Sequence, residues 1–508
     1  MKGEGDQATR VVAPMSVGRT ILALSSVILP LAAMTLGSRE AAAQGVRGWA
    51  ASTLQYVELR PIEQRTVPAD ELVVAPDGTV TYQGRRVYCS PEAPCTYYGA
   101  LDVEHTLHGA EDVGFTAWGL GTPGLSFTGL LRGRARLSGD FVWPRSDDHL
   151  DAILAYAQLD LAPWRIRVGR QETLSGLGFS GFDGASVRYE LPTNATIEAY
   201  GGRSLARALS EPRNTALAGL VDFLPDQDAW LLGGYASVRL PRSTSIGIRY
   251  QREILGDRSG LVSERASLDV NTLALSPVVL TGAVDLDVVF GRIGKSHLTL
   301  RYAGPALPVA FEVTARRYLP YFDLSTVWGF FSPVAYHELL GRASWVGEGR
   351  SFWVAAGLRT YEETEAPVIF DPLEDDAWQA RAGGAWTLDE SWTVDGVYEI
   401  LWGAGGFLNS GEVNLRYRPI DRLGVALYGT AFQQFEEFRI GDGRTLGGGA
   451  SVDARLSDRM RLEGGLALFR HAPEGGQVDE RWNQFRGWSA LRIEFGGEPG
   501  RALPRYRR

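Results

Sequence analysis

Charged residues in this sequence recur at every second position. Arg132, Arg134 and Arg136 form one such run, Arg165 and Arg167 a second, and Asp285 and Asp287 repeat the spacing with the opposite sign. Glu198, Asp395 and Glu463 each stand between apolar or small neighbours, and Glu312 and Arg316 share one parity in their segment. In an extended chain, residues two apart point to the same side. Such rows could line a wet passage, where charged side chains tune which ions and solutes enter. Arginines gathered on neighbouring strands would favour anionic solutes. Ion pairing of the same arginines along the wall is the equal alternative.

Other groupings are weaker candidates for chemistry. Gly176-x-Gly178-x-x-Gly181 and Gly119-x-Gly121-x-x-Gly124 match a dinucleotide-binding spacing, but neither opens a helix within a βαβ unit. His105 and His108 are three apart, which on a strand puts them on opposite faces. No Gly-x-Ser-x-Gly elbow is present, so a lipase or protease site would have to be assembled from several strands. Asp371, Glu374, Asp375 and Asp376 could hold a hard cation in a connecting loop, a solvated acidic loop being the plainer alternative. Cys89 and Cys95 enclose Ser-Pro-Glu-Ala-Pro without a haem or zinc spacing, so a local disulfide is expected in an exported chain. No cofactor is implied.

The elements that must carry these rows are strands. In Gly124–Phe141, Leu125, Phe127, Gly129, Leu131, Ala135 and Leu137 alternate with Ser126, Thr128, Arg132, Arg134 and Arg136. The pattern continues to Phe495, interrupted alternately by short turns (Thr122–Gly124, Ala162-Pro163, Pro241–Ser243, Gly347–Gly349) and longer connections (Thr173–Asp183, Arg203–Asp228, Leu319–Ala335, Glu362–Asp376, Gly403–Asn409). Tryptophans mark both ends of the strands: Trp164, Trp345, Trp386 and Trp392 beside short turns, Trp143, Trp230, Trp378 and Trp402 beside long ones. Sorted connections, two aromatic girdles and two-faced strands predict an all-β fold, a single closed antiparallel transmembrane barrel of about 22 strands, with a range of roughly 20–24. Closure is required because lipid satisfies no backbone group. An outward arginine near mid-membrane costs about 2–4 kcal/mol, so the charged rows must face inward.

With a formal net charge of −9, no basic face marks the chain for nucleic acid. Ile21–Leu36 followed by Ala41-Ala42-Ala43 has the form of a secretory signal peptide, giving residues 1–43 as leader. Residues 44–96, where the alternation is broken, read as a small N-terminal periplasmic or pore-mouth module that holds both cysteines and either donates a strand to the wall or does not. Residues 97–496 read as the barrel, and 497–508 as an arginine-rich tail. Thr215–Phe223 could form a short helix. Phe322, Trp328, Phe330 and Phe331 form an aromatic loop suited to a constriction or a partner contact.

Ile166-Arg-Val-Gly-Arg-Gln171 followed by Gly181-Phe-Asp-Gly184 resembles a strand and loop of porin-like and alginate-export-type barrels. Trp488–Phe495 is similar to the C-terminal insertion signal of outer-membrane proteins. The resemblance implies a Gram-negative outer-membrane barrel that contacts lipid and passes small or polymeric polar solutes, some of them anionic. A wall this wide with so little chain left for a plug also resembles the sheath of a porin–cytochrome conduit, which would take a cytochrome partner. A secretion partner and a barrel hydrolase are the remaining alternatives.

Overall fold

The computed structural model describes residues 45–59, 62–74, 80–83, 85–90, 93–100, 102–139, 149–205, 229–256, 260–304, 308–319, 335–362, 376–403, 406–437, 441–473 and 481–497. Residues 1–43, expected as a leader, Trp143, the segment Thr215–Phe223, the aromatic loop with Phe322, Trp328, Phe330 and Phe331, the acids Asp371, Glu374 and Asp375, and residues 498–508 lie outside this set.

Alternation of apolar and polar residues has the expected outcome. A 22-stranded antiparallel sheet closes on itself, each strand pairing with its sequence neighbour. The ring is sealed where Gly45–Leu59 pairs with Trp482–Gly496 on one side and with Glu104–Trp118 on the other. Among the described residues no helix is long and apolar enough to cross a membrane. The wall crosses with strands.

The sealing strand decides the alternative left open for residues 44–96 and moves the start of the wall. Gly45–Leu59 belongs to the wall and not to a separate N-terminal module, and the wall does not begin at residue 97. Without this strand, Trp482–Gly496 and Glu104–Trp118 would each present an unpaired edge to lipid. Gly45 opposes Trp118 beside the short 119–124 turn, and Leu59 opposes Glu104 at the far end. The intervening residues therefore leave and rejoin the wall at the end opposite the short turns. They carry two small sheets, Ile62–Thr66 with Ala93–Ala100 and Tyr88–Ser90, and Val73–Val74 with Val80–Tyr82 and Arg85–Arg86. Cys89 and Cys95 are joined as a disulfide within the first.

Two expected long connections are in fact tight. Thr173–Asp183 continues the flanking strands Trp164–Ser175 and Gly178–Glu190 and turns only at Gly176-Leu177. Gly403 directly opposes Gly406. Glycine-rich composition read as loop where it served a sharp hairpin, with Gly178 at φ 99° and Gly403 at φ 119°.

The two faces differ as the alternation requires. Leu298, Leu339, Val354, Val413, Leu427 and Leu466 are large, apolar and exposed. Each is flanked by residues of the other face, and register carries the division around the ring because cross-strand partners share a face. Trp164 and Trp386 lie on the apolar face near the short turns, and Trp230, Trp378 and Trp402 near the opposite end. These are the two girdles expected at membrane–water interfaces.

Gly169 sits at φ 124°, and a Cβ there would lie 2.3 Å from the Ala155 carbonyl oxygen. Only glycine tolerates both conditions. Gly169→Ala is expected to cost roughly 1–3 kcal/mol, read as a lower urea midpoint of tryptophan fluorescence; an unchanged midpoint would mean the strand has another way through.

Candidate functional site: the barrel interior

Beyond Arg170 the hairpin Trp164–Ser175/Gly178–Glu190 parts from its neighbour His149–Leu161, whose pairing ends at Ala155↔Arg170. Its tip reaches strands further round the ring. Arg265 donates from Nη1 to the Leu177 carbonyl at 2.6 Å, and its Nη2 pairs with Asp285. Arg249 Nη1 donates to Thr173 Oγ1 at 2.9 Å, and Gln251 Nε2 to Ser180 Oγ at 3.0 Å. Gln251, Arg265, Ser267 and Asp285 alternate with the exposed apolar residues Ile248, Tyr250, Leu268 and Leu286, so they point into the barrel. All four are at most 7% exposed, which an open wall would not permit. The tip covers them. Beneath it Phe182, Tyr200 and Leu231 form a small dry cluster, with the Phe182 and Tyr200 rings 5.6 Å apart.

Starting from that inner face, the register places every charged residue singled out from the sequence. Ser267, Arg249, Tyr235, Glu198, Arg188 and Arg165 follow one another across successive strands and all face inward. Arg132, Arg134, Arg136 and Arg167 share that face, as do Asp285, Asp287, Glu312, Arg316, Asp395 and Glu463. The structure does not bring them into one site. It distributes them around the lumen.

Most are held in ion pairs along the wall. Arg132 grips Asp112 through two bonds of 2.6 and 2.9 Å, and Arg134 lies 3.4 Å from Asp151. Arg165 meets Asp160 at 2.6 Å, and Arg167 donates to Gln158 at 2.7 Å with its guanidinium over the Tyr156 ring. Arg416 reaches Asp395 at 3.3 Å, Arg461 reaches Glu463 at 2.9 Å, and Arg292 stands 3.8 Å from Asp287. In the arginine run at 132–136, for which an anion-attracting cluster and ion pairing along the wall were equal expectations, Arg132 and Arg134 are paired with acids from adjacent strands.

Between Arg292 and Tyr361 the balance is different. Glu338, 4% exposed, accepts from Arg316 Nη2 at 3.0 Å and from Arg359 Nη2 at 2.9 Å. Arg359 also lies 4.2 Å from the centre of the Tyr336 ring, which sits between Tyr318 and Tyr361. Lower on the same inner strip Arg301 and Arg342 flank Glu312 in register, and Arg342 stacks on Trp353. Cations outnumber carboxylates on these four strands. Neither Glu338 and Arg359 nor the Arg265 anchor was singled out from sequence. The available signals were the alternation Ser263-x-Arg265-x-Ser267 and the glycine-flanked turn at Leu177.

The remaining candidates separate cleanly. His105 stacks on Tyr56, whereas His108 turns to the other face and meets Gln55 at 3.0 Å. Gly119–Gly124 forms an inter-strand turn and Gly176–Gly181 the inward tip, so neither glycine series opens a helix. Asp376 begins a wall strand. Among the described residues no three His, Cys, Asp or Glu side chains converge as a metal site.

A closed antiparallel wall, apolar outside and charged within, defines a transmembrane β-barrel. No protein-family model and no curated protein matches the sequence. The fold is similar to solved barrels at low identity. The siderophore receptor PirA from Pseudomonas aeruginosa gives a TM-score of 0.42 at 11% identity, covering 89% of this chain and 80% of that one. OccAB4 of Acinetobacter baumannii gives 0.37 at 10%, covering 89% and 99%. A BenF-like porin from Pseudomonas fluorescens gives 0.37 at 10%, also covering 89% and 99%.

Proposed function

We propose that the chain is an outer-membrane channel of a diderm bacterium, passing polar solutes through a lumen narrowed by the Gln171–Gly181 hairpin tip. The observation that carries this reading is the charged inner face running around the whole ring, with the tip pinned across part of it. Short turns then face the periplasm and the long connections face outward. Inward charge only makes sense if water meets it, and a wet closed wall spanning lipid conducts. Purified protein in a planar bilayer is expected to give stepwise ion conductance. Folded, heat-modifiable protein that inserts without conductance would overturn the reading, and a co-purifying haem protein filling the lumen would move it to a conduit sheath.

The channel prefers anionic solutes modestly, because the cationic strip between Arg292 and Tyr361 is offset by nearly balanced charge elsewhere. Arg301→Ala/Arg342→Ala is expected to shift the zero-current potential in a salt gradient toward cation preference. Arg132→Ala/Arg134→Ala/Arg136→Ala should shift it the same way by exposing Asp112 and Asp151. Identical potentials for wild type and both variants would refute selectivity by these residues.

A further inference from the structure

We infer that the outer face of the wall holds one specific lipid with a phosphate headgroup, seated between the strands Leu261–Thr272 and Arg350–Tyr361. This does not depend on whether the barrel conducts. A hollow of about 670 Å³ opens on the lipid-facing side there. Leu268, Leu298 and Leu339 wall it, all exposed, while Gly282 and Ala315 between them are too small to fill it. A smooth greasy wall would need none of this relief.

At the long-connection end the hollow meets polar groups. Ser296, Arg317, His337 and Thr360 follow one another in register across four strands on the outer face. Their level is fixed by the neighbouring girdle. Leu358 opposes Trp378, which opposes Trp402, whereas Thr360 opposes Asp376 one step nearer the long connections. The apolar hollow therefore lies at acyl depth and the polar row at headgroup depth.

The polar row is already shaped for an anion. Arg317 donates from Nε and Nη2 to the two oxygens of Glu362 at 2.7 and 2.9 Å, and His337 Nε2 stands 3.1 Å from the same carboxylate. Guanidinium and imidazole converge on one pair of oxygens, a geometry that phosphate satisfies as well as carboxylate does. Glu362, just beyond the last wall residue, occupies the place of the phosphate and competes with it. A phosphate above and an acyl chain below, at the right depths, is the chemistry of a membrane phospholipid.

The test uses full-length protein reconstituted in phosphatidylcholine with a minor fraction of phosphatidylglycerol, extracted in mild detergent and weighed intact by native mass spectrometry. Wild type is expected to retain one phosphatidylglycerol in clear preference to phosphatidylcholine. Arg317→Gln should reduce that retention about tenfold, Ala315→Phe should reduce it by filling the hollow, and Glu362→Gln should raise it by removing the competing carboxylate. Heat-modifiable migration checks that each variant is folded. Equal retention of the two lipids by wild type, an unchanged Arg317→Gln, or a loss with Glu362→Gln would each overturn the assignment.

Discussion

Arg265→Ala is expected to give a larger and noisier single-channel conductance than wild type, together with a less stable barrel. Arg265 and Asp285 side chains are each 6% exposed, and Arg265 also satisfies the Leu177 carbonyl at the hairpin tip. Truncating one partner of a buried ion pair leaves the other charged and undressed, at a cost of about 3–5 kcal/mol. In a lumen part of that cost is recovered if water reaches Asp285, and water reaches it only if the tip lifts. The double variant Arg265→Ala/Asp285→Ala separates the two effects. It removes both charges, so most of the stability should return, while the carbonyl anchor stays lost and the wider conductance persists. If Arg265→Ala conducts as wild type does, the tip is not a constriction.

The second large effect concerns which face of a strand meets lipid. Val413 and Asn414 are adjacent in the middle of Gly406–Ile420, yet the structure turns them to opposite sides. Val413 is 57% exposed on the apolar face. Asn414 donates to Asp395 and Glu412, both at 3.0 Å, inside the barrel. Val413→Arg is expected to destabilise folding into liposomes by about 2–4 kcal/mol, the cost of a cation near mid-bilayer. Asn414→Arg should be close to neutral, since two carboxylates already face the introduced cation. Reversible urea titrations in lipid vesicles measure both. A reversed order would place the charged rows in lipid and dismantle the fold assignment.

The period of two made the wall legible. Residues such as Arg165, Glu198, Asp285 and Glu463 could be sorted to one face without coordinates because a strand has only two faces and lipid rejects charge from one of them. The strand total was legible for the same reason, although the ring was completed by Gly45–Leu59 and not by a strand beyond Tyr97. The sequence left open whether this segment donates a strand, because Gly45–Leu59 mixes small, polar and apolar residues on both faces and its partners lie at opposite ends of the chain. The glycine-rich run at 173–183 failed for a related reason. Glycine permits a loop and a tight inward hairpin equally well, and the choice lies with Arg249, Gln251 and Arg265, many residues downstream.

Local alternation against a solvent that cannot hydrogen-bond was enough to read off, from the chain alone, the class of wall and the inward side of the charged rows. Which charges meet was settled by the folded ring. Arg132 finds Asp112, Arg316 and Arg359 share Glu338, and Arg265 reaches Leu177 at the inturned hairpin tip because register and closure set those distances. Ion pairing falls off within a few ångströms, and no spacing along a chain encodes a distance between strands that are neighbours only after the ring has shut.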